Sequence, residues 1–360
     1  MAIDEAGSGV DGGKVLEALP DDVVASLEVR DAWRERMASS SPALEFLVTH
    51  LASWPPGAVV RVAFLDGDAS LHRDVAEATE QITGACNLTL DFGLDATGEF
   101  RRWSETDTVL AAEIRVSFDQ PGFWSLVGAD SSDPTVGRPV GPVGGRPGQR
   151  SLNLGGFMQV RPSDWQGTVR HEFMHALAFK HEHQNIRGPC EQQFRWEDDE
   201  GYVPTQNARG VFVPDSAGRR PGIYTYLAGP PNGWPRAKVD HNLRTTDAPD
   251  TVAGSFDSDS IMLYRFESFF YRSAPSPCAP TSSGIDLSDA DKEGLSLLYP
   301  DVAAALADIA NRGELALAEL STTGAPGPEP GRETVPAAAS PYAARAVELI
   351  NATLEQLGRS

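Results

Sequence analysis

His171, His175 and His181 are the residues of this chain best suited to grip a metal ion, and Glu172 is the one best suited to use it. On an α-helix, residues i and i+4 project from the same face, so His171 and His175 can hold one ion together. Glu172 lies roughly 100° around the helix from His171, next to such an ion without needing to bind it. A third imidazole, six residues after the second, completes a three-nitrogen set that leaves one coordination position for water. That open position separates a catalytic zinc from a structural one. The chemistry implied is metal-assisted hydrolysis with a single Zn2+ and Glu172 as the general base.

The competing explanation is an amphipathic helix whose histidines are solvated or satisfied by hydrogen bonds. Four of the seven histidines fall within residues 171–183, which makes scatter a poor account. Val169, Phe173, Ala176 and Leu177 recur at helical spacing on the other side of the same segment, a stripe suited to core burial. One face would pack and the other would bind.

The run H-E-x-x-H-x-x-x-x-x-H, followed downstream by Ser260-Ile261-Met262-Leu263-Tyr264, resembles the metzincin clan of zinc peptidases. Within that clan, His181-Glu182-His183 resembles the H-E-H of the astacin family, and residues 260–264 resemble its methionine turn, usually S-I-M-H-Y. The resemblance covers roughly residues 57–300. It implies Met262 as a hydrophobic floor beneath the metal. It implies Tyr264 as a ligand at rest that swings away to donate a hydrogen bond to the oxyanion. Glu182 would orient elements near the site without touching metal; in astacins its equivalent meets the new N-terminus after propeptide cleavage. Phe194-Arg195-Trp196 and Tyr202 resemble a segment that follows the third ligand in bacterial astacin-like enzymes. Leu152, Asn153, Leu154 and Gly155 would form the sheet-edge strand bordering the cleft, where an extended peptide can add as a further strand. The other reading of that segment is a strand capped by the loop before it.

Two departures from the family pattern stand out. Ala178 occupies the position where the clan has glycine, which turns the chain back toward the metal in a left-handed conformation. Alanine there costs about 1–2 kcal/mol, offset by packing or by metal binding, unless a different turn ends the helix. Leu263 replaces a histidine and removes no expected ligand. Phe64-Leu65-Asp66-Gly67-Asp68 superficially resembles an inhibitory aspartate motif, but it sits at the end of a strand and is read as structural.

Composition narrows the classes. A chain of 360 residues with 41% hydrophobic content suits a catalytic domain with appendages. A net charge of −21 argues against nucleic-acid binding, which wants clustered Lys and Arg. No run of about 18 apolar residues suggests a membrane span. Residues 1–7 have neither a basic nor an apolar leader region, so the expectation is a cytoplasmic protein or export by a leaderless route. Cys86, Cys190 and Cys278 are too few for a disulfide framework. Cys190 follows the metal-binding segment and Cys278 follows the methionine turn, so those two could be neighbours. Oligomeric state is not readable.

The elements that must position the histidines follow from periodicity. Residues 1–13 are Gly- and Asp-rich and expected to be disordered. Helical signals run over 21–52. Strands are expected at 59–65, 87–92, 113–118 and 151–157, with a helix over 70–83. Residues 130–149 should be an extended loop, and 184–255 should be irregular. Capped and amphipathic helices are expected over 287–298, 301–320 and 341–357, the last two joined by a Pro/Gly/Ala linker. The last would dock through Ala343, Val347, Ile350, Leu354 and Leu357.

The fold expected is α+β. A metzincin-like domain at 57–300 would have a twisted mixed sheet and the zinc helix in an upper subdomain, above an irregular lower one. An N-terminal helical extension at 1–56, a possible pro-segment, and C-terminal helices at 301–360 would flank it. The function expected is a zinc endopeptidase acting on protein or peptide substrates. The alternatives are a non-catalytic interaction module on the same scaffold and a zinc hydrolase of a non-peptide bond. Glu172 argues against the first, since a structural zinc needs no general base.

Overall fold

Val60, Val62 and Phe64 alternate along the first strand and are all buried, and every residue of the third strand is buried. Strands covered on both faces suit a mostly parallel sheet packed between helices. A computed structural model describes residues 16–245, 253–326 and 334–359. It shows a five-stranded mixed sheet of β1 (Val59–Phe64), β2 (Thr89–Asp91), β3 (Ile114–Ser117), β4 (Phe123–Ser125) and β5 (Leu152–Leu154). The order is β2-β1-β3-β5-β4, parallel throughout except that β4 runs antiparallel to β5. The expected disordered start over 1–13 lies outside the described residues, as do 246–252 of the irregular stretch and 327–333 of the linker.

The helices are α1 (Asp21–Ala38), α2 (Pro42–His50), α3 (Ala69–Ala78), α4 (Glu80–Thr83), α5 (Trp165–Ala176), α6 (Cys190–Gln193), α7 (Ile223–Ala228), α8 (Arg236–Leu243), α9 (Asp289–Leu298), α10 (Ala303–Thr323) and α11 (Pro341–Gln356). Asp68 caps α3 by accepting from Leu71 N, so the acidic pair at 66–68 is structural. Val169, Phe173, Ala176 and Leu177 of the histidine-bearing segment enter the same core as β1, β3 and β5. That core continues without a break into the terminal helices. Leu44, Leu47 and Val48 of α2 join Ala310, Ala316 and Leu320 of α10 and Ala343, Ile350 and Leu354 of α11. Val347 and Leu357 of the expected docking face are half-buried against them.

The expected loop at 130–149 is ordered around one buried cation. Arg115 on β3 donates to the carbonyls of Gln149, Ala112, Glu113, Ser131 and Gly144. Burial lowers its pKa to about 9. Its charge meets five main-chain dipoles in place of a carboxylate, as a buried ion requires. Arg30 of α1 pairs with Asp130 in the same loop, donating at 2.9 Å from its second nitrogen. These bonds clamp α1 against the loop.

Residues 190–278 contain more order than the sequence reading allowed: α6, α7, α8 and a short antiparallel pair at Thr205–Gln206 and Phe212–Val213. They enclose a second core of aromatic residues, including Phe194, Trp196, Tyr226, Trp234, Phe266 and Phe270. Cys190 and Cys278 are disulfide-bonded across it, 88 residues apart in sequence. Loop-closure entropy for such a span is about 4–5 kcal/mol, an upper figure. The double variant Cys190→Ser, Cys278→Ser should therefore lose roughly 2–4 kcal/mol in urea denaturation. A midpoint unchanged from wild type would show that the aromatic core holds this region unaided.

Candidate metal centre

α5 carries His171 and His175 and stops one residue after the second. The stop is a Schellman closure with alanine in the glycine position. Phe179 N donates to Met174 O at 3.0 Å and Ala178 N to His175 O at 2.9 Å, with Ala178 at φ 73°. Ala178 is the only described non-glycine residue at positive φ, so the chain uses the expected turn and bears its strain. The next carbonyls are also satisfied: Trp54 Nε1 donates to Ala176 O at 2.9 Å and Tyr299 Oη to Leu177 O at 3.0 Å. Gly128 gives the Ala178 methyl its room, because a side chain at 128 would come within 2.9 Å of that methyl carbon. The reversed chain then brings His181 back to face α5.

Two carbonyls set the direction of the imidazoles. His171 Nδ1 lies 2.9 Å from Ile261 O, and His175 Nδ1 lies 2.7 Å from Phe179 O. A carbonyl can only accept, so each Nδ1 carries a proton and each Nε2 is the atom turned inward. His175 Nε2 and His181 Nε2 stand 3.0 Å apart. Burial holds His171 down to about 4 and His181 down to about 3, so both are neutral near pH 7.

A fourth donor comes from far upstream. The Glu17 carboxylate lies 3.3 Å from His171 Nε2, 3.4 Å from His175 Nε2 and 3.2 Å from His181 Nε2. It also accepts from Tyr264 Oη at 2.5 Å. Burial alone would raise its pKa, but the facing imidazoles outweigh that and hold it well below the usual carboxylate range. Glu17 belongs to a strap, residues 16–20, that runs into α1 at Asp21.

The residues of the methionine segment sit around this cluster. Asp291, which closes the capping box of α9, also accepts from Ser260 Oγ at 2.7 Å and Ile261 N at 2.9 Å. The carbonyl that orients His171 is thereby fixed to a helix N-terminus. Met262 is buried in the main core, and its carbonyl accepts from Glu182 N at 2.9 Å, joining this turn to the His181 loop. The Tyr264 ring centroid lies 4.3 Å from that of His181 and 4.9 Å from that of His183. His183, read as ordinary from sequence, is buried and bonded through Nε2 to Asn242 O at 3.0 Å. Glu182 accepts from Asn185 Nδ2 and Asp257 N, and burial raises its pKa to about 7.

Glu172 is fully buried beside the histidines, and neither carboxylate oxygen has a hydrogen-bond partner. Burial, then the Glu17 charge, pushes its pKa well above the usual range. Two unpartnered buried oxygens have a cost that a purely structural residue would not carry.

The donor set fits a divalent metal of zinc type. One ligand atom from each of Glu17, His171, His175 and His181 can be chosen so that all lie within 4.8 Å of one another. A tetrahedral site with bonds of about 2.0–2.1 Å has ligand–ligand edges of roughly 3.3 Å; the His175–His181 separation and the contacts of the two Glu17 oxygens run from 3.0 to 3.4 Å, within a set that spans up to 4.8 Å. Without a metal, the 3.0 Å contact between His175 Nε2 and His181 Nε2 is a hydrogen bond that one ring donates and the other accepts; a cation between them would be bound by both nitrogens instead.

One assignment is corrected. Leu152, Asn153, Leu154 and Gly155 do not form an edge: β5 lies between β3 and β4, and β4 is the outer strand. Asn153 Nδ2 donates to Gln120 O at 2.9 Å and Gly122 O at 2.7 Å, which holds the turn leading into β4 against it. Glu17 was missed outright. It stands in Leu16-Glu17-Ala18-Leu19, a string without any feature of a ligand motif.

No protein-family model and no curated protein matches this chain. Among the solved structures that resemble it are the following three. Two are of myroilysin, at 25% and 24% identity and TM-scores of 0.47 and 0.41, covering 70% and 69% of this chain and 97% and 86% of theirs. The third is high choriolytic enzyme 1, a hatching-enzyme zinc-protease from Oryzias latipes, the medaka fish. It is 17% identical with a TM-score of 0.38, over 69% of this chain and 95% of its own. Likenesses at this level decide neither fold nor activity, which rest on this chain's own residues.

Metal analysis after dialysis against zinc should find about one equivalent in wild type and well below one in His181→Ala. Equal loading in the two would remove His181 from the set. Ala178→Gly should stabilise the metal-free protein by about 0.5–1 kcal/mol in thermal denaturation, since relief of the left-handed strain exceeds glycine's entropy cost. A loss of stability would mean that the methyl packing at Gly128 outweighs the strain.

Proposed function

We propose that this chain is a zinc-dependent endopeptidase of astacin-like, metzincin type, held latent by its own Glu17. The observation that carries this is the convergence of three imidazole nitrogens and a carboxylate within 4.8 Å of one another, with the unpartnered carboxylate of Glu172 beside them. In this reading the sheet and α5 form one wall of the cleft and residues 190–278 the other.

Zinc at the triad supplies a Lewis acid that makes hydroxide accessible near neutral pH and polarises a carbonyl. Glu172 takes the proton as water attacks the peptide carbonyl and delivers it to the leaving amine. The Tyr264 hydroxyl, which donates to Glu17 Oε2 in the latent form, turns its hydrogen bond to the oxygen that becomes negative. Met262 and the core beneath it hold the histidines in place.

Glu17 occupies the position that water would need, so the strap must leave before turnover. Residues 1–56 do not detach as a unit in this reading, because Trp33, Met37, Leu44 and Leu47 are buried in the main core. Release of the strap ahead of α1 is sufficient, and α1 and α2 remain as part of the enzyme.

The test is casein digestion at matched zinc content. Glu17→Ala should digest on the order of tenfold faster than wild type, as expected when a competent state becomes the dominant one. Adding Glu172→Gln to it should lower the rate by about 10²–10⁴ with zinc retained. Digestion unaffected by Glu172→Gln would end the assignment of the general base. No digestion by a zinc-loaded Glu17→Ala protein would end the peptidase reading.

A further inference from the structure

The strap also shows what the cleft accepts next to the metal. Leu16 precedes the residue whose carboxylate stands among the three imidazoles, so its side chain samples the surface one residue from the reacting centre. That side chain is only 7% exposed and belongs to the aromatic core of residues 190–278, together with Tyr226, Leu227 and Trp234. Ala18, on the other side of Glu17, packs against the same core. The Leu16 main-chain N–H donates to Asn232 Oδ1 at 2.9 Å, in the turn between α7 and α8 that also supplies Trp234. The two contacts divide the work of recognition. A bond from a main-chain N–H reads any peptide, whereas enclosure in an apolar cluster favours a side chain that gains by leaving water.

Resting on the peptidase reading, we propose that the pocket holding Leu16 is a substrate subsite, with Asn232 as its main-chain anchor. It selects a bulky aliphatic side chain within two residues of the bond cut. Its occupant in the latent protein is the chain itself, and its occupant in the active one is a peptide such as a leucine-containing loop. An acidic or basic side chain would have to leave its hydration behind on entering a wall of aromatic and aliphatic groups. Asn232 acts on every substrate alike, because what it accepts is a peptide N–H.

Binding of small metal-directed probes tests this without requiring turnover. The protein is the full chain with Leu16→Asp and Glu17→Ala, which frees both the pocket and the metal, loaded with zinc and checked by metal analysis. The probes are the hydroxamates of acetyl-leucine, acetyl-aspartate and acetyl-lysine, titrated by calorimetry. The leucine probe should bind about tenfold or more tightly than either charged one. Asn232→Ala should weaken all three by a similar factor and leave their ranking intact, which a merely structural loss at that turn would not do. Equal affinities, a preference for a charged probe, or no binding to the zinc-loaded protein would overturn the subsite. Casein digestion by the same protein reports separately on the peptidase reading: failure to digest together with leucine-selective binding would sink that reading and keep the pocket.

Discussion

Two imidazole N–H groups committed to main-chain carbonyls determine most of what this chain builds around its centre. Because Ile261 O and Phe179 O can only accept, His171 and His175 must turn their Nε2 atoms inward, toward Glu17 and His181. Gathering buried polar groups this closely costs desolvation, so other packing must enforce it. The surroundings supply the enforcement. Asp291 at the start of α9 accepts from the Ile261 N–H and so fixes that residue's main chain, and the turn that closes α5 fixes Phe179.

That enforcement draws on parts distant in sequence. Trp54, just after α2, and Tyr299, just after α9, donate to the last open carbonyls of α5. The histidine-bearing helix is thus terminated by its own left-handed turn together with the regions that bracket the sheet. The second core supplies Tyr264 and His183, stacked beside His181, and its disulfide joins the segment after α5 to the segment after the methionine turn. A strained left-handed alanine survives because everything around it is already fixed.

The histidine-bearing part of this architecture was legible because it is periodic and local. Histidines four apart, an apolar stripe opposite them and a capping serine before α9 each carry their physics within a few residues. What was not legible depends on distance. β4 has three residues, Phe123–Ser125, too few for alternation to register, and its place outside β5 follows from the Asn153 side chain. Without β4, Leu152–Gly155 read as an edge. The pairing of Cys190 with Cys278 is decided by an aromatic core assembled from short helices that have little periodicity of their own. Glu17 is the extreme case, since it has no local signature and acts only where the chain crosses the histidines.

The position of Glu17 so close to α1 has a kinetic meaning. Three residues separate it from Asp21, and α1 is clamped by Arg30 to Asp130 and by Trp33 in the core. A carboxylate on so short a tether meets the centre at an effective concentration on the order of millimolar or above. Its return is unimolecular, so dilution does not relieve it. In the latent form proposed above, one break in the backbone between the carboxylate and the helix would make the same contact bimolecular, and dilution would then favour escape of the fragment. The distinction between a closed and an open centre is thereby reduced to the integrity of a single short stretch of chain.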